Sequence, residues 1–552
     1  MKPSGLLIIA LVMLLTSASA APAARSECAG LSLEEKVGQI MMCSFKGPDL
    51  SPSLARLIEE KKIGGIILYS SWGNITSADQ VRELCEQIQD MARRSGVLPL
   101  FTGIDQEGGV VARIREGVSV LPGNMAIGAA GDKTLAAAAA AASARELAAL
   151  GINMNFAPVA DVNNNPLNPV IGVRSFGSSP ELVSELAVAM AGATLEEGVI
   201  PVGKHFPGHG NTTADSHAGL PSVPSDMEAL ERIELAPFKS LIKSGIPAIM
   251  TAHVLVPALD KDRPATLSPA VIGMLRKEMG FGGAVITDSL GMGALKKYGS
   301  VAEVAVEAFR SGADILLFGA DRGFTEEEQF AVYEKLLEAC KKGVIPPSRL
   351  DEAVGRIIAL KQGISRQTDR DDKKAPVRPF REDPSISKLA AKSVTLVRGW
   401  DRAAEMIKEG RSVPLLWPAD HEKAGRRLAK ACPFFKLYLL PQKPGREDIS
   451  GAVETLRGEP AVFAAEYDCW KEKEWLALLK ELGEERLYIL SARTPYSLLD
   501  LPRCGGFFAL YSDIDAVIDA LADILHGRAG PEGRLPVDIP GLYRAGWGED
   551  EF

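Results

Sequence analysis

Three groups of side chains have the types that acid–base and nucleophilic chemistry need. The densest is Lys204-His205-Phe206-Pro207-Gly208-His209-Gly210-Asn211-Thr212-Thr213-Ala214-Asp215-Ser216-His217. Asp215 and His217 lie two apart, so in an extended segment they share a face. A carboxylate beside an imidazole favours the charged ring and orients it. Such a pair can give a proton to a leaving group and later take one from water. The same two residues could instead satisfy the loop's own backbone. Asp288 follows the apolar run Ala284-Val285-Ile286-Thr287 and precedes the turn Ser289-Leu290-Gly291-Met292. A carboxylate fixed at a strand end suits a nucleophile that attacks an anomeric carbon from one side. A helix N-cap is its other reading. The third group is Asp105-Gln106-Glu107-Gly108-Gly109 with Arg113, joined by Arg174 in Gly172-Val173-Arg174-Ser175-Phe176-Gly177. Asp105 can accept from sugar hydroxyls, and each arginine can fork onto a carboxylate or a hydroxyl pair. Each could equally be a surface ion pair.

These groups need elements to position them. Val199 to Gly203 is apolar and reads as a buried strand running into Lys204 and His205. Pro207, Gly208 and Gly210 then end it in a loop. Similar strands are predicted at 63–69, 99–105, 152–159, 248–253, 283–288 and 314–318. Helices are predicted between them, including single helices over 133–150, 180–197, 226–244 and 300–311. Repeated strand–helix units over about 330 residues predict a parallel α/β architecture, and a (β/α)8 TIM-like barrel fits best. Asp105, Asp161, Lys204-His205, His253 and Asp288 then stand at strand ends that converge on one face.

Between 365 and 383 the chain turns rich in Arg, Asp, Lys and Pro and loses its apolar period. This predicts a linker over 364–385 between a catalytic unit at 31–363 and a smaller unit at 386–552. Candidate strands at 394–397, 413–417, 436–440, 461–465, 487–490 and 507–511 make the second unit a doubly wound α/β domain. It contains no GxGxxG or P-loop that would signal a nucleotide.

The remaining features narrow the function class. A length of 552 residues, 24% charged and 46% apolar, fits a two-domain soluble protein. The net charge of −9 and the lack of any basic block argue against nucleic acid as a partner. Residues 1–20 read as a signal peptide: Lys2, an apolar run from Leu6 to Leu15, and Ala18-Ser19-Ala20 before the cut. That run is shorter than the ~20 residues a membrane span needs, so no stable transmembrane span is expected after cleavage. Export to the periplasm, the cell wall or the extracellular space is the expectation. The seven cysteines, at 28, 43, 85, 340, 432, 469 and 504, show no CxxC pair and no histidine at ligand spacing. No metal site is expected, and the odd count leaves at least one thiol without an intramolecular partner.

The loop Lys204 to His217, with Ile286-Thr287-Asp288-Ser289-Leu290 downstream, resembles glycoside hydrolase family 3 in its β-N-acetylglucosaminidase (β-hexosaminidase) branch. The resemblance runs from Leu31 to about Gln362. The C-terminal half resembles the αβα-sandwich domain of two-domain members, and Gly533-Arg534-Leu535-Pro536-Val537 is also similar to the family. The resemblance implies retaining hydrolysis of a terminal N-acetylhexosamine through a covalent glycosyl–aspartate. It implies Asp288 as nucleophile, His217 as general acid/base, and Asp215 as the residue tuning His217. Asp105, Arg113, Arg174, Lys204 and His205 match substrate-binding positions. His209 shapes the loop.

No cofactor is implied, since the side chains suffice. Substrates would be peptidoglycan fragments, including muropeptides, or chitooligosaccharides. A histidine in place of the usual second carboxylate suits substrates with an acidic aglycone, because a protonated ring draws negative charge. The expected pH profile is a bell with Asp288 on the acid limb and His217 on the alkaline limb. A phosphorylase using phosphate as acceptor and a catalytically silent sugar-binding wall protein are the alternatives. The sequence leaves the oligomeric state open.

Overall fold

The computed structural model describes residues 27–217, 219–368 and 383–549, so the stretch read as a signal peptide and most of that read as a linker lie outside the described residues. The first described helices show how the units begin. Ser32 caps Leu33–Gln39 in a reciprocal arrangement with Glu35: the Ser32 hydroxyl accepts the Glu35 N–H, and the Glu35 carboxylate accepts the Ser32 N–H. Ser77, Ser179 and Ser300 cap the helices Ala78–Arg94, Pro180–Glu196 and Val301–Ser311 through their hydroxyls.

Eight parallel strands form the first sheet: β1 Met41–Cys43, β2 Gly65–Leu68, β3 Phe101–Ile104, β4 Met154–Asn155, β5 Ile200–Phe206, β6 Ala248–Thr251, β7 Ala284–Thr287 and β8 Leu316–Leu317. Their order is β7-β6-β5-β4-β3-β2-β1-β8, so the last strand returns beside the first. The ring closes between β7 and β8. There Ile286 pairs with Ile315, Thr287 N–H donates to the Ile315 carbonyl at 3.0 Å, and Leu317 N–H donates to Thr287 Oγ1 at 3.0 Å. Every residue of β1 to β8 is buried, which matches strands covered on both faces. This is the (β/α)8 barrel.

The structure departs from the expected elements in definite places. β1 was absent from the predicted strands. The segment read as one strand over 152–159 pairs regularly only at Met154–Asn155, with one further bridge between Val159 and Lys204. The single helix expected over 226–244 is two, Met227–Arg232 and Ala236–Lys243, because Pro237 has no N–H to continue the first and instead opens the second. The helix Pro347–Thr368 runs through Gly363, and the next begins at Pro384, so both enter the stretch read as linker.

The second sheet holds β9 Thr395–Arg398, β10 Val413–Pro418, β11 Phe435–Leu440, β12 Val462–Glu466, β13 Leu487–Ser491 and β14 Gly506–Ala509, in the order β9-β14-β13-β12-β10-β11. It is mixed rather than all parallel: β9 runs antiparallel to β14 and forms an edge, as is common on such sheets. The helix Pro384–Ser393 packs against the barrel helices Asn124–Ala130 and Lys133–Ala149. A strap over 533–537 crosses back to the barrel, where Arg534 N–H donates to the Ala129 carbonyl at 3.0 Å and Pro536 O accepts Ser178 N–H at 3.0 Å. Gly177 is required there, since a Cβ would lie 2.3 Å from the Pro536 carbonyl oxygen. All seven cysteines are free thiols, six of them buried. No described helix is long and apolar enough to cross a membrane.

Candidate active site

The barrel delivers its polar side chains at the C-terminal ends of the strands, where such folds place their chemistry. β5 is apolar until Lys204, whose side chain is 2% exposed. A buried ammonium must be paired, and Lys204 Nζ meets Asp105 Oδ1 and Glu107 Oε1, each at 2.7 Å. Glu107 also takes both arms of Arg174, Nε to Oε2 at 3.0 Å and Nη2 to Oε1 at 2.7 Å. Burial alone would raise the Glu107 carboxyl; the Arg174 and Lys204 charges overcome it and hold Glu107 well below the usual carboxylate range. Burial likewise works against the charged forms of Lys204 and Arg174. The carboxylates around them outweigh it and raise both.

His205 has a defined tautomer. Arg174 Nη2 lies 3.3 Å from His205 Nε2, and a guanidinium only donates, so Nε2 accepts. Nδ1–H then donates to Asp161 Oδ2 at 2.7 Å. Asp161 Oδ1 accepts the backbone N–H groups of His205 at 3.3 Å and His209 at 2.7 Å. Against the upward push of burial, these donors keep the Asp161 carboxyl below its ordinary value. Arg113 is more exposed. It reaches Asp105 Oδ2 at 3.5 Å and lies 5.5 Å from the Tyr69 ring centre.

Asp288 stands at the end of β7 and fixes its backbone by donating N–H to the Thr251 carbonyl at 3.1 Å. Its Oδ1 accepts the Ser289 N–H at 2.7 Å. Burial would raise Asp288, but His253, His205, the Ser289 N–H and Lys204 bring it below the ordinary aspartate value. His253 is itself held down by burial. His253 Nε2–H donates to the Ser289 carbonyl at 2.8 Å, and Nδ1 meets Thr266 Oγ1 at 2.8 Å, so the ring braces the turn that follows the nucleophile position.

The Asp215–His217 pair sits apart from this buried frame. Asp215 Oδ1 accepts the His217 backbone N–H at 2.9 Å and its ring Nδ1–H at 2.8 Å, which leaves Nε2 for proton transfer. The two side chains are 40% and 64% exposed. Burial and the His217 hydrogen bonds pull the Asp215 carboxyl in opposite directions, and the hydrogen bonds win. The loop that carries the pair is rooted by His209, whose Nδ1 and Nε2 meet Thr212 Oγ1 at 2.9 Å and Ser216 Oγ at 3.2 Å. Asn168 Nδ2 donates to the His209 and Gly210 carbonyls at 2.8 and 3.0 Å. Its Oδ1 accepts the Val170 and Ile171 N–H groups.

The structure thus joins Asp105, Arg113, Arg174, Lys204 and His205 in one continuous network, with Asp288 in its electrostatic reach. Asp215 and His217 lie on a separate exposed loop. Sequence reasoning gave no role to Glu107, the hub of the network, although its place two residues after Asp105 signals a shared face. It gave none to Asn168, Tyr69 or Asp321 either. Tyr69 is a strand-end residue; Asp321 reaches Asp288 only because the barrel closes. Among the described residues, no group of three or more His, Cys, Asp or Glu is arranged to hold a metal ion.

Comparison with known proteins agrees with this fold. Residues 32–360 match the model of the glycosyl hydrolase family 3 N terminal domain. Beta-hexosaminidase A of Pseudoalteromonas piscicida is 38% identical over 561 residues, covering 90% of this chain and 92% of that one. Beta-hexosaminidase LpqI of Mycobacterium tuberculosis is 34% identical over 347 residues, covering 60% of this chain and 83% of its own length. The solved structure of a glycoside hydrolase family 3 beta-N-acetylglucosaminidase from Paenibacillus sp. str. FPU-7 superposes with a TM-score of 0.85 at 38% identity, over 92% of this chain and 99% of that one.

Proposed function

The chain belongs to glycoside hydrolase family 3, and from that membership we infer an exported retaining β-N-acetylhexosaminidase acting on terminal non-reducing N-acetylhexosamine residues. The beta-hexosaminidase names of its relatives support the amino-sugar substrate class. The signal-like N-terminus supports export. Peptidoglycan fragments or chitooligosaccharides are the natural substrates in this reading.

One observation carries the mechanism: an ionised Asp288 braced at a strand end, with a histidine on a separate loop whose Nδ1 is already committed to Asp215. Asp288 attacks the anomeric carbon, and the glycosidic C–O bond breaks as protonated His217 gives the Nε2 proton to the leaving oxygen. This leaves a glycosyl ester on Asp288 and a neutral His217. Water then attacks the anomeric carbon from the opposite side, and His217 takes its proton. The ester bond breaks, the Asp288 carboxylate is restored, and two inversions give net retention. Asp105, Lys204 and the Arg174–Glu107 pair hold the sugar against a rigid, buried frame, so little entropy is lost at the moment of reaction. The Asp215 carboxylate accepts the Nδ1–H and so keeps the transferable proton on Nε2.

Turnover of a chromogenic β-N-acetylglucosaminide, with NMR of the first product anomer, tests this reading. Release of the β-anomer in wild type and its loss in Asp288→Ala are expected. Near-normal kcat in Asp288→Ala would remove the nucleophile assignment. The same assay in phosphate buffer distinguishes free sugar from sugar 1-phosphate. A matched pair of neutral and anionic aglycones tests the preference for acidic leaving groups, and equal kcat/KM for both would count against it.

A further inference from the structure

Asp321 lies beyond β8, in a polar loop, yet it reaches the residue that follows the nucleophile. Ser289 is the hub of that contact. Its backbone N–H donates to Asp288 Oδ1 at 2.7 Å, and its carbonyl accepts His253 Nε2–H at 2.8 Å. Its hydroxyl accepts the Gly319 N–H at 2.7 Å and donates to Asp321 Oδ2. The packing is too close for other residues. A Cβ on Gly291 would lie 2.7 Å from Asp321 Oδ2, and one on Gly319 would lie 2.7 Å from both Ser289 Oγ and Tyr69 Oη. The end of β8, the turn after β7 and the tip of β2 therefore converge on one serine.

We propose that Asp321 is a positioning carboxylate of the reaction: ionised, it draws the Ser289 hydroxyl toward β8 and so holds the N–H that orients Asp288 for attack. This rests on Asp288 being the nucleophile. Among the described residues Asp288 Oδ2 has no hydrogen-bond partner, so fixing Oδ1 leaves Oδ2 as the attacking atom. When Asp321 takes up a proton, it ceases to be a pure acceptor for the serine hydroxyl, and the constraint on the turn weakens.

The groups facing Asp321 set the pH at which this happens. From β7 come Asp288, the Ser289 hydroxyl and the Gly291 N–H; from the loop after β5 comes His217; from β2 comes the Tyr69 phenol. Burial raises Asp321 to about 6, with the Asp288 charge adding to it and Ser289, His217 and Gly291 opposing. Asp288 itself is held below its ordinary value of 3.8. The acid limb of kcat/KM near 6 therefore belongs to Asp321, and Asp288 titrates well below it.

The test is the pH dependence of kcat/KM for wild type, Asp321→Asn and Ser289→Ala on a chromogenic β-N-acetylglucosaminide. Wild type should lose activity as pH falls through about 6. Asp321→Asn should move that limb down to the Asp288 range and lower kcat at neutral pH by about tenfold or less, as loss of one positioning hydrogen bond implies. Ser289→Ala removes the hydroxyl through which Asp321 acts, so its limb should likewise fall to the Asp288 range; this variant serves if Asp321→Asn does not fold. A wild-type limb already below 4.5, or one that stays at the same pH in the variants, overturns the proposal. Asp288→Ala, assayed alongside, separates the two ideas: turnover retained there removes the nucleophile assignment, whatever the limb does.

Discussion

At the scale of single residues the site sets a buried frame, which includes Asp288, against the exposed Asp215–His217 pair. Lys204 is fully enclosed between two carboxylates, while His217 stands largely in solvent. Their losses should differ. Lys204→Ala should raise KM by about tenfold with a smaller change in kcat, and His217→Ala should lower kcat by roughly 100- to 10,000-fold with KM little changed. Steady-state kinetics of the two variants checks the split. Lys204→Ala should also lower the melting temperature, since breaking a buried ion pair costs about 3–5 kcal/mol. A second residue-scale effect concerns pH. Burial pushes His209 down to about 4 from an ordinary 6.5, and His253 moves in the same direction. Between those values the unfolded chain binds more protons than the folded one, so stability is full above 6.5 and falls as pH drops toward 4. For His209 alone the loss is on the order of 3 kcal/mol, at about 1.4 kcal/mol per pKa unit. Melting curves from pH 7 to 4 should show it, and His209→Gln should flatten the slope.

At the scale of elements, the reactive loop is only as well placed as its root. Asn168 joins the loop that carries Arg174 to the loop that carries His217 through bonds to the His209 and Gly210 carbonyls. Asn168→Ala would leave those carbonyls and two N–H groups without the partner they have, at about 1–3 kcal/mol for each buried group left unmet. Binding and chemistry should then suffer together: KM rises and kcat falls, unlike either variant above. Amide hydrogen exchange over 209–217 should quicken, and unchanged exchange there would exclude this role. The same scale explains what the sequence made legible. Seven barrel strands stood out because each is an apolar run ending on a polar residue or a turn. Met41–Cys43 did not, because only Ile40 separates it from the helix Leu33–Gln39, and Ile40-Met41-Met42 reads as more of that helix. Asp105, Lys204, His205 and Asp288 could be found because strand ends converge in any such barrel. Asp321 could not, since its neighbour Ser289 is 32 positions away and the two meet only where β8 closes on β7.

At the scale of the whole molecule, the second domain touches the loop that carries Arg174. Asn163 Nδ2 donates to Tyr496 Oη at 3.0 Å, Lys471 Nζ donates to the Pro169 carbonyl at 3.3 Å, and Thr494 packs on Gly172. The strap over 533–537 adds a second seam beside Gly177. The sandwich therefore backs the loop that carries Arg174 from outside, which a barrel alone would leave to solvent. Neither seam was readable from the sequence, because both join segments more than 300 residues apart.

The free thiols turn the two domains into separate stopwatches. Burial pushes Cys85 in the barrel and Cys432 and Cys504 in the sandwich up to about 12, Cys43 higher still, and Cys469 well above its ordinary value. Thiolates are the reactive form, so an alkylating reagent should modify these sites only as fast as each domain opens. Peptide mapping after timed exposure to iodoacetamide would then read two opening rates from one sample. Equal rates would mean that barrel and sandwich come apart as a single cooperative body, and unequal rates would name the domain that lets go first.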